Sequence, residues 1–172
     1  MKNYMGYYKI VSYILLVIAG FFALLDLILL LLAFANSTLL LAVFILTGVI
    51  IYSFTSFSFL VNNIQKNKQC KASLKDWIKV NAYVTIAFGV YFVFVSFFVW
   101  FSPTMHALIA EQYNQIPTKP VGFTLPMYIK MFNSIMFFFL FYALLLLSHV
   151  FISLRVVKQY GYLFGKKPDI LE

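Results

Sequence analysis

The chain has 172 residues, of which 63% are hydrophobic, 20% aromatic and only 10% charged, and its mean hydropathy is +0.93. A soluble domain of this size is about a quarter charged, and the five acids and thirteen Lys or Arg of this chain cannot cover a globule that holds 21 Phe. Lipid is therefore the solvent for most of the chain, and the soluble-enzyme and disordered classes are excluded.

The net charge of +8 does not point to nucleic acid, because the cations fall in the gaps between apolar runs instead of on one groove-sized face. Cys70 is the single cysteine, so an intramolecular disulfide and a dithiol redox pair are both ruled out.

A helix crossing about 30 Å of hydrocarbon needs roughly 20 apolar residues. Four runs qualify, at about 10–35, 39–61, 78–101 and 128–154. They are apolar on every side, as in LILLLLAF and MFFFLFYALLLL, which favours helices over the alternating strands of a barrel. The first run follows Lys2 and Lys9 and ends in Ala33-Phe34-Ala35, but it outlasts the 7–15 residues of a signal peptide and reads as an uncleaved anchor. The expected fold is an all-α, four-helix antiparallel transmembrane bundle forming one domain.

Orientation follows from the cations. Lys2, Lys9, Lys66, Lys68, Lys71, Lys75, Lys79, Arg155, Lys158, Lys166 and Lys167 fall on one side, whereas only Lys119 and Lys130 fall on the other. Both termini and the 62–77 loop are thus expected in the cytoplasm, with the chain in a plasma or bacterial inner membrane. Lys66, Lys68, Lys71, Lys75, Arg155 and Lys158 are candidate contacts for anionic headgroups.

Between the first two spans only Asn36-Ser37-Thr38 remains, which demands a tight hairpin. The same triplet matches a glycosylation sequon, but it sits flush with the bilayer. A start signal at Ser73-Leu74-Lys75-Asp76 places the beginning of the third helix ahead of its apolar run. The outer loop, 102–127, opens on Ser102-Pro103, an N-cap followed by Pro at the first helical position. A short amphipathic helix is expected over 103–115, with Met105, Leu108, Ile109, Gln112 and Ile116 near one face, lying on the membrane or capping the bundle. Lys9 and Tyr13 align with Lys79 and Tyr83; two identities reflect two inner interfaces better than a repeat.

Asp26 is the one acid inside a span, and burying it costs about 2.5–3.5 kcal/mol on insertion scales. It shares a face with Ser12, Ala19, Ala23, Leu30 and Ala33. At 1.5 Å per residue Thr47 lies at a similar depth, with Ser96 and Asn133 roughly a turn farther out. Asp26, Thr47, Ser96 and Asn133 therefore form the candidate intramembrane polar site, read first as a polar clasp between helices and second as a proton or cation site. Asn81, Thr85, Gly89, Phe92 and Ser96 form a polar and small stripe on the third helix suited to packing on the first.

His149 falls roughly 16 Å in height from Asp26, too far for a direct relay, and reads as a histidine bonded to a neighbouring helix or near the inner headgroups. No metal spacing, phosphate loop, nucleophile elbow or carboxylate dyad is present in the sequence, so no catalytic, metal or cofactor residue is assigned. The expected role is that of a non-enzymatic accessory or scaffold protein acting by association in the membrane, with lipids, other membrane proteins or further copies of itself as partners. The alternative is a small oligomeric transporter or channel using Asp26.

Overall fold

A computed structural model describes residues 3–165. They form α1 (Asn3–Ala35), α2 (Leu40–Ser58), α3 (Ala72–Phe101), α4 (Pro103–Gln115) and α5 (Leu125–Gln159), with no strand among the described residues. Four of the helical segments, Tyr4–Ala35, Ser37–Ile64, Ala72–Phe101 and Leu125–Gln159, are long and apolar enough to cross a membrane. Lys2, Lys166 and Lys167, which enter the orientation argument, lie outside the described residues.

Each spanning helix outruns its apolar run at the end that carries the cations. α1 starts at Asn3, α2 continues through a π-helical turn (Phe59–Ile64), and α5 runs on to Gln159. Hydropathy marks where lipid ends, but the backbone ladder is indifferent to side-chain polarity, so polar turns such as Asn62-Asn63 prolong the helix. The connection between α2 and α3 accordingly shrinks from the expected 62–77 to 65–71, and Ser73 sits inside the first turn of α3 instead of ahead of it.

Two compact units divide the chain, one built from the residues up to Phe88 together with those from Leu146 on, the other from Gly89–Leu145. In the first, α1 and α2 form the hairpin demanded by the three-residue gap. Asn36 Oδ1 accepts from Thr38 N at 3.1 Å and from Thr38 Oγ1 at 2.7 Å, so the side chain of the sequon Asn caps a 3₁₀ turn. α2 meets α3 closely at Gly48, where a Cβ would lie 2.7 Å from Val84 Cγ1 and 3.6 Å from Asn81 Oδ1. The stripe on α3, expected to face α1, therefore has α2 as its neighbour at Asn81.

Buried Tyr8, Tyr52, Phe59, Leu60, Ile78, Val150 and Val157 form the core of this unit. The chain beyond α5 folds back onto the α2–α3 connection, with Cys70 N donating to Leu163 O at 2.8 Å and Gly165 N to Cys70 O at 3.0 Å. The Phe59 and Phe164 rings stack at 4.8 Å beneath this latch. Burial raises the Cys70 thiol above its ordinary value.

In the second unit Ser102 takes extended geometry and its hydroxyl accepts from Met105 N, starting α4 at Pro103. Ile109 is 2% exposed and packs in a cluster with Val99 and Met136, to which Met105 and Tyr128 add. The buried face of α4 differs from the expected one: Leu108 and Gln112 are exposed, while Met105, Ile109 and Tyr113 turn inward. Tyr113 explains the rotation, because its hydroxyl donates to Phe123 O at 2.7 Å. A turn returns the chain to α5, with Phe123 N bonded to Pro120 O. Gly122 adopts φ +83° there, which a side chain disfavours.

Candidate polar sites in the membrane-spanning helices

The densest set of buried polar side chains belongs to the first unit and comes from three helices. Tyr8 and Ser12 stand on α1, Tyr52 and Ser56 on α2, His149 and Ser153 on α5. Each helix contributes a ring followed four residues later by a serine, a spacing that stacks the two on one face.

His149 is 1% exposed and has both ring nitrogens engaged, Nε2 with Ser12 Oγ at 2.8 Å and Nδ1 with the Tyr52 hydroxyl at 2.8 Å. Ser12 donates its one hydroxyl proton to Tyr8 O at 2.7 Å, so it accepts from His149. In the neutral imidazole this places the proton on Nε2 and leaves Nδ1 to accept from Tyr52. The Tyr8 ring stacks on the imidazole at 4.7 Å with 10° between planes, and Tyr52 meets it edge-on. Beneath, the Tyr8 hydroxyl bonds Ser56 Oγ at 2.9 Å, which in turn bonds Ser153 Oγ at 3.1 Å. Two further links hold α1 to α5: Tyr7 with Ser148 at 2.7 Å, and Tyr4 with Gln159. The sequence expectation of a histidine bonded to neighbouring helices holds.

Asp26 and Thr47 meet as the depth argument requires: Thr47 Oγ1 donates to Asp26 Oδ2 at 2.6 Å. Asp26 Oδ1 is buried with no hydrogen-bond partner. Ser96 and Asn133 belong to the second unit. Ser96 is fully buried and donates to Phe92 O at 2.7 Å, with Met136 O at 3.3 Å. Asn133 lines a groove with Lys130 and Trp100. Ser96 is thus bonded within its own unit, whereas Asn133 Oδ1 is buried without a hydrogen-bond partner.

The cationic candidates all lie in the first unit. Lys66, Lys68, Lys71, Arg155 and Lys158 are exposed, and Lys75 is half-buried with its ammonium 5.9 Å from the Phe164 ring. Cys70 and Leu163 bring the α2–α3 connection and the segment after α5 together, so these cations gather at one end of that unit. No group of three or more His, Cys, Asp or Glu side chains that could hold a metal occurs among the described residues.

Comparison with known proteins leaves these sites to speak for themselves: no family model, no curated protein and no solved structure matches the chain.

The triple ring-x-x-x-Ser pattern is the signal that sequence reasoning passes over. Tyr and Ser near the ends of spans each have an ordinary interfacial explanation, and only their common spacing on three helices points to one shared cluster.

Proposed function

We propose that this is a non-enzymatic integral membrane protein that works by association, as an accessory or scaffold subunit, with both termini and the basic 65–71 connection in the cytoplasm. The observation that carries the reading is the closure of the Tyr8–Ser12–Tyr52–Ser56–His149–Ser153 cluster upon itself. Both ring nitrogens of its histidine are bonded, and its serines bond rings, backbone or one another. Such a network fixes helix positions and leaves the interior of that unit packed.

Large apolar side chains point outward along the hairpin, with Val17 74% and Phe34 83% exposed, which supplies surface for lipid or for a partner helix. The gathering of Lys66, Lys68, Lys71, Arg155 and Lys158 supports the cytoplasmic assignment by the positive-inside rule, and each cation near the surface contributes about 1 kcal/mol toward anionic lipid.

The test is crosslinking in native membranes from single cysteines placed at Val17 or Phe34 in a Cys70→Ser background, followed by purification in mild detergent. A discrete crosslinked species with a second copy or a stoichiometric membrane partner is the expected result. A strictly monomeric protein without partner at both positions overturns it.

A second reading, a small oligomeric transporter using Asp26, rests on Asp26 Oδ1, a buried carboxyl oxygen without a partner. Asp26→Asn keeps a group that can accept from Thr47 and removes titration. Proton-coupled flux in liposomes that Asp26→Asn abolishes at unchanged stability would establish this reading in place of the first.

A further inference from the structure

The second unit carries an open groove of about 720 Å³, lined by Trp100, Leu125, Pro126, Ile129, Lys130, Asn133, Ser134 and Phe137. Trp100 is the penultimate residue of the span Ala72–Phe101, and Leu125 to Lys130 open the span Leu125–Gln159. The groove therefore lies where two spanning segments reach the edge of the hydrocarbon, at the depth where indole rings settle.

Its polar groups are few and ordered by depth. Lys130 is exposed and no acidic side chain lines the groove, so its charge is available. One turn farther along α5, about 4.5 Å deeper at 1.5 Å per residue, stands Asn133. Its Oδ1 is buried without a partner, and its amide nitrogen carries two donor hydrogens. The Ser134 hydroxyl is already committed to Lys130 O at 2.9 Å. About one turn below Asn133 stands Phe137, which is apolar, while Leu125, Pro126 and Ile129 line the outer part of the groove.

From Lys130 inward the groove thus offers a cation, a side-chain amide and an apolar ring. That order matches a glycerophospholipid, whose phosphate, ester carbonyl and acyl chain follow one another at the same depths. We propose that this groove is a binding site for one anionic glycerophospholipid, its phosphate on Lys130, an ester carbonyl on the Asn133 amide and an acyl chain along Phe137. The uncompensated cation sets the preference for a net-negative headgroup. The groove belongs to the second unit, whereas Lys66 and Arg155 belong to the first, and the proposal does not depend on the association reading.

Trp100 reports on the groove directly once the other indole is removed by Trp77→Phe. The Trp77→Phe protein is reconstituted in phosphatidylcholine vesicles containing a small fraction of acyl-brominated phosphatidylglycerol or, in parallel, acyl-brominated phosphatidylcholine. Quenching of Trp100 should favour the phosphatidylglycerol by about fivefold in local occupancy, the effect of one cation, and Lys130→Gln should erase the difference. Ser134→Phe, which fills the groove from an exposed position, should reduce quenching by both lipids and serves if Lys130→Gln fails to fold. Equal quenching by the two lipids, a preference that survives Lys130→Gln, or quenching indifferent to Ser134→Phe overturns the proposal.

Discussion

The Nε2 of His149 and the hydroxyl of Ser12 lie 2.8 Å apart, and this bond ties the last spanning helix to the first. Its direction is set by the serine's other bond, because Ser12 spends its proton on Tyr8 O. The imidazole must then donate at Nε2 and accept at Nδ1 from Tyr52. A side chain that could carry charge is thus fully bonded in the buried core, with the Tyr8 ring stacked on it. Three helices are pinned by this one residue.

Truncating that residue should be costly. His149→Ala removes a buried ring and leaves Ser12 and Tyr52 without their partner, a loss of about 3 kcal/mol by comparison with other large-to-small core substitutions. His149→Gln can still offer a donor and an acceptor and should cost about 1 kcal/mol. Tyr52→Phe deletes a single interhelical bond, about 0.6–1.7 kcal/mol in a membrane bundle. Reversible unfolding in mixed detergent micelles would show His149→Ala as clearly the most destabilised of the three, and His149→Ala at the level of Tyr52→Phe would refute the network.

Cys70 sits in the latch between the α2–α3 connection and the segment after α5. Burial raises its thiol above the ordinary value, and the thiolate is the reactive species, so at neutral pH less thiolate is present than in the unfolded chain. Maleimide labelling should run several-fold slower in the folded protein than in the denatured one and should accelerate as pH rises. Phe164→Ala, which opens the stack over Phe59, should speed the folded reaction. Equal rates for folded and denatured protein would show that the latch does not form.

What the sequence makes legible here follows from which forces have a one-dimensional signature. The spans are readable because lipid imposes a minimum apolar length, and the α1–α2 hairpin because three residues permit nothing else. That hairpin also fixes the register that brings Asp26 opposite Thr47, so their bond follows from counting residues. The helix ends are not readable from hydropathy, since backbone bonding continues through Asn62 and Asn63 after the lipid ends. The rotation of α4 is hidden because it depends on one tertiary bond, Tyr113 to Phe123 O. The His149 cluster is legible only in part: a bonded histidine follows from its setting, whereas its partners require the shared ring-x-x-x-Ser spacing of α1, α2 and α5.

The Asp26–Thr47 bond of 2.6 Å yields a coupling that can be isolated. Thr47→Val removes the donor from Asp26 Oδ2 and should destabilise the protein by about 1 kcal/mol. In an Asp26→Leu background the same substitution should cost almost nothing, since the acceptor is gone, and the difference is the interaction energy. Asp26→Leu alone should improve insertion of α1, because it relieves a burial cost of about 2.5–3.5 kcal/mol. A Thr47→Val penalty that persists in the Asp26→Leu background would assign the effect of Thr47 to packing.

Gly48 marks a close approach of α2 and α3 that can be tested by exchange of volume. A Cβ at Gly48 would lie 2.7 Å from Val84 Cγ1, nearer than carbon atoms tolerate, and 3.2 Å from Val84 Cβ, a tight contact. Val84 is β-branched and has few rotamers to yield into, so Gly48→Ala should push α2 and α3 apart and cost about 1–3 kcal/mol. Removing the obstructing methyl groups with Val84→Ala should restore most of that loss in the double variant, even though Val84→Ala alone is mildly destabilising. Thermal unfolding of the four proteins closes the cycle. Additive losses would mean that α2 and α3 do not meet at this pair, whereas recovery in the double variant would establish the contact and the reason a glycine stands there.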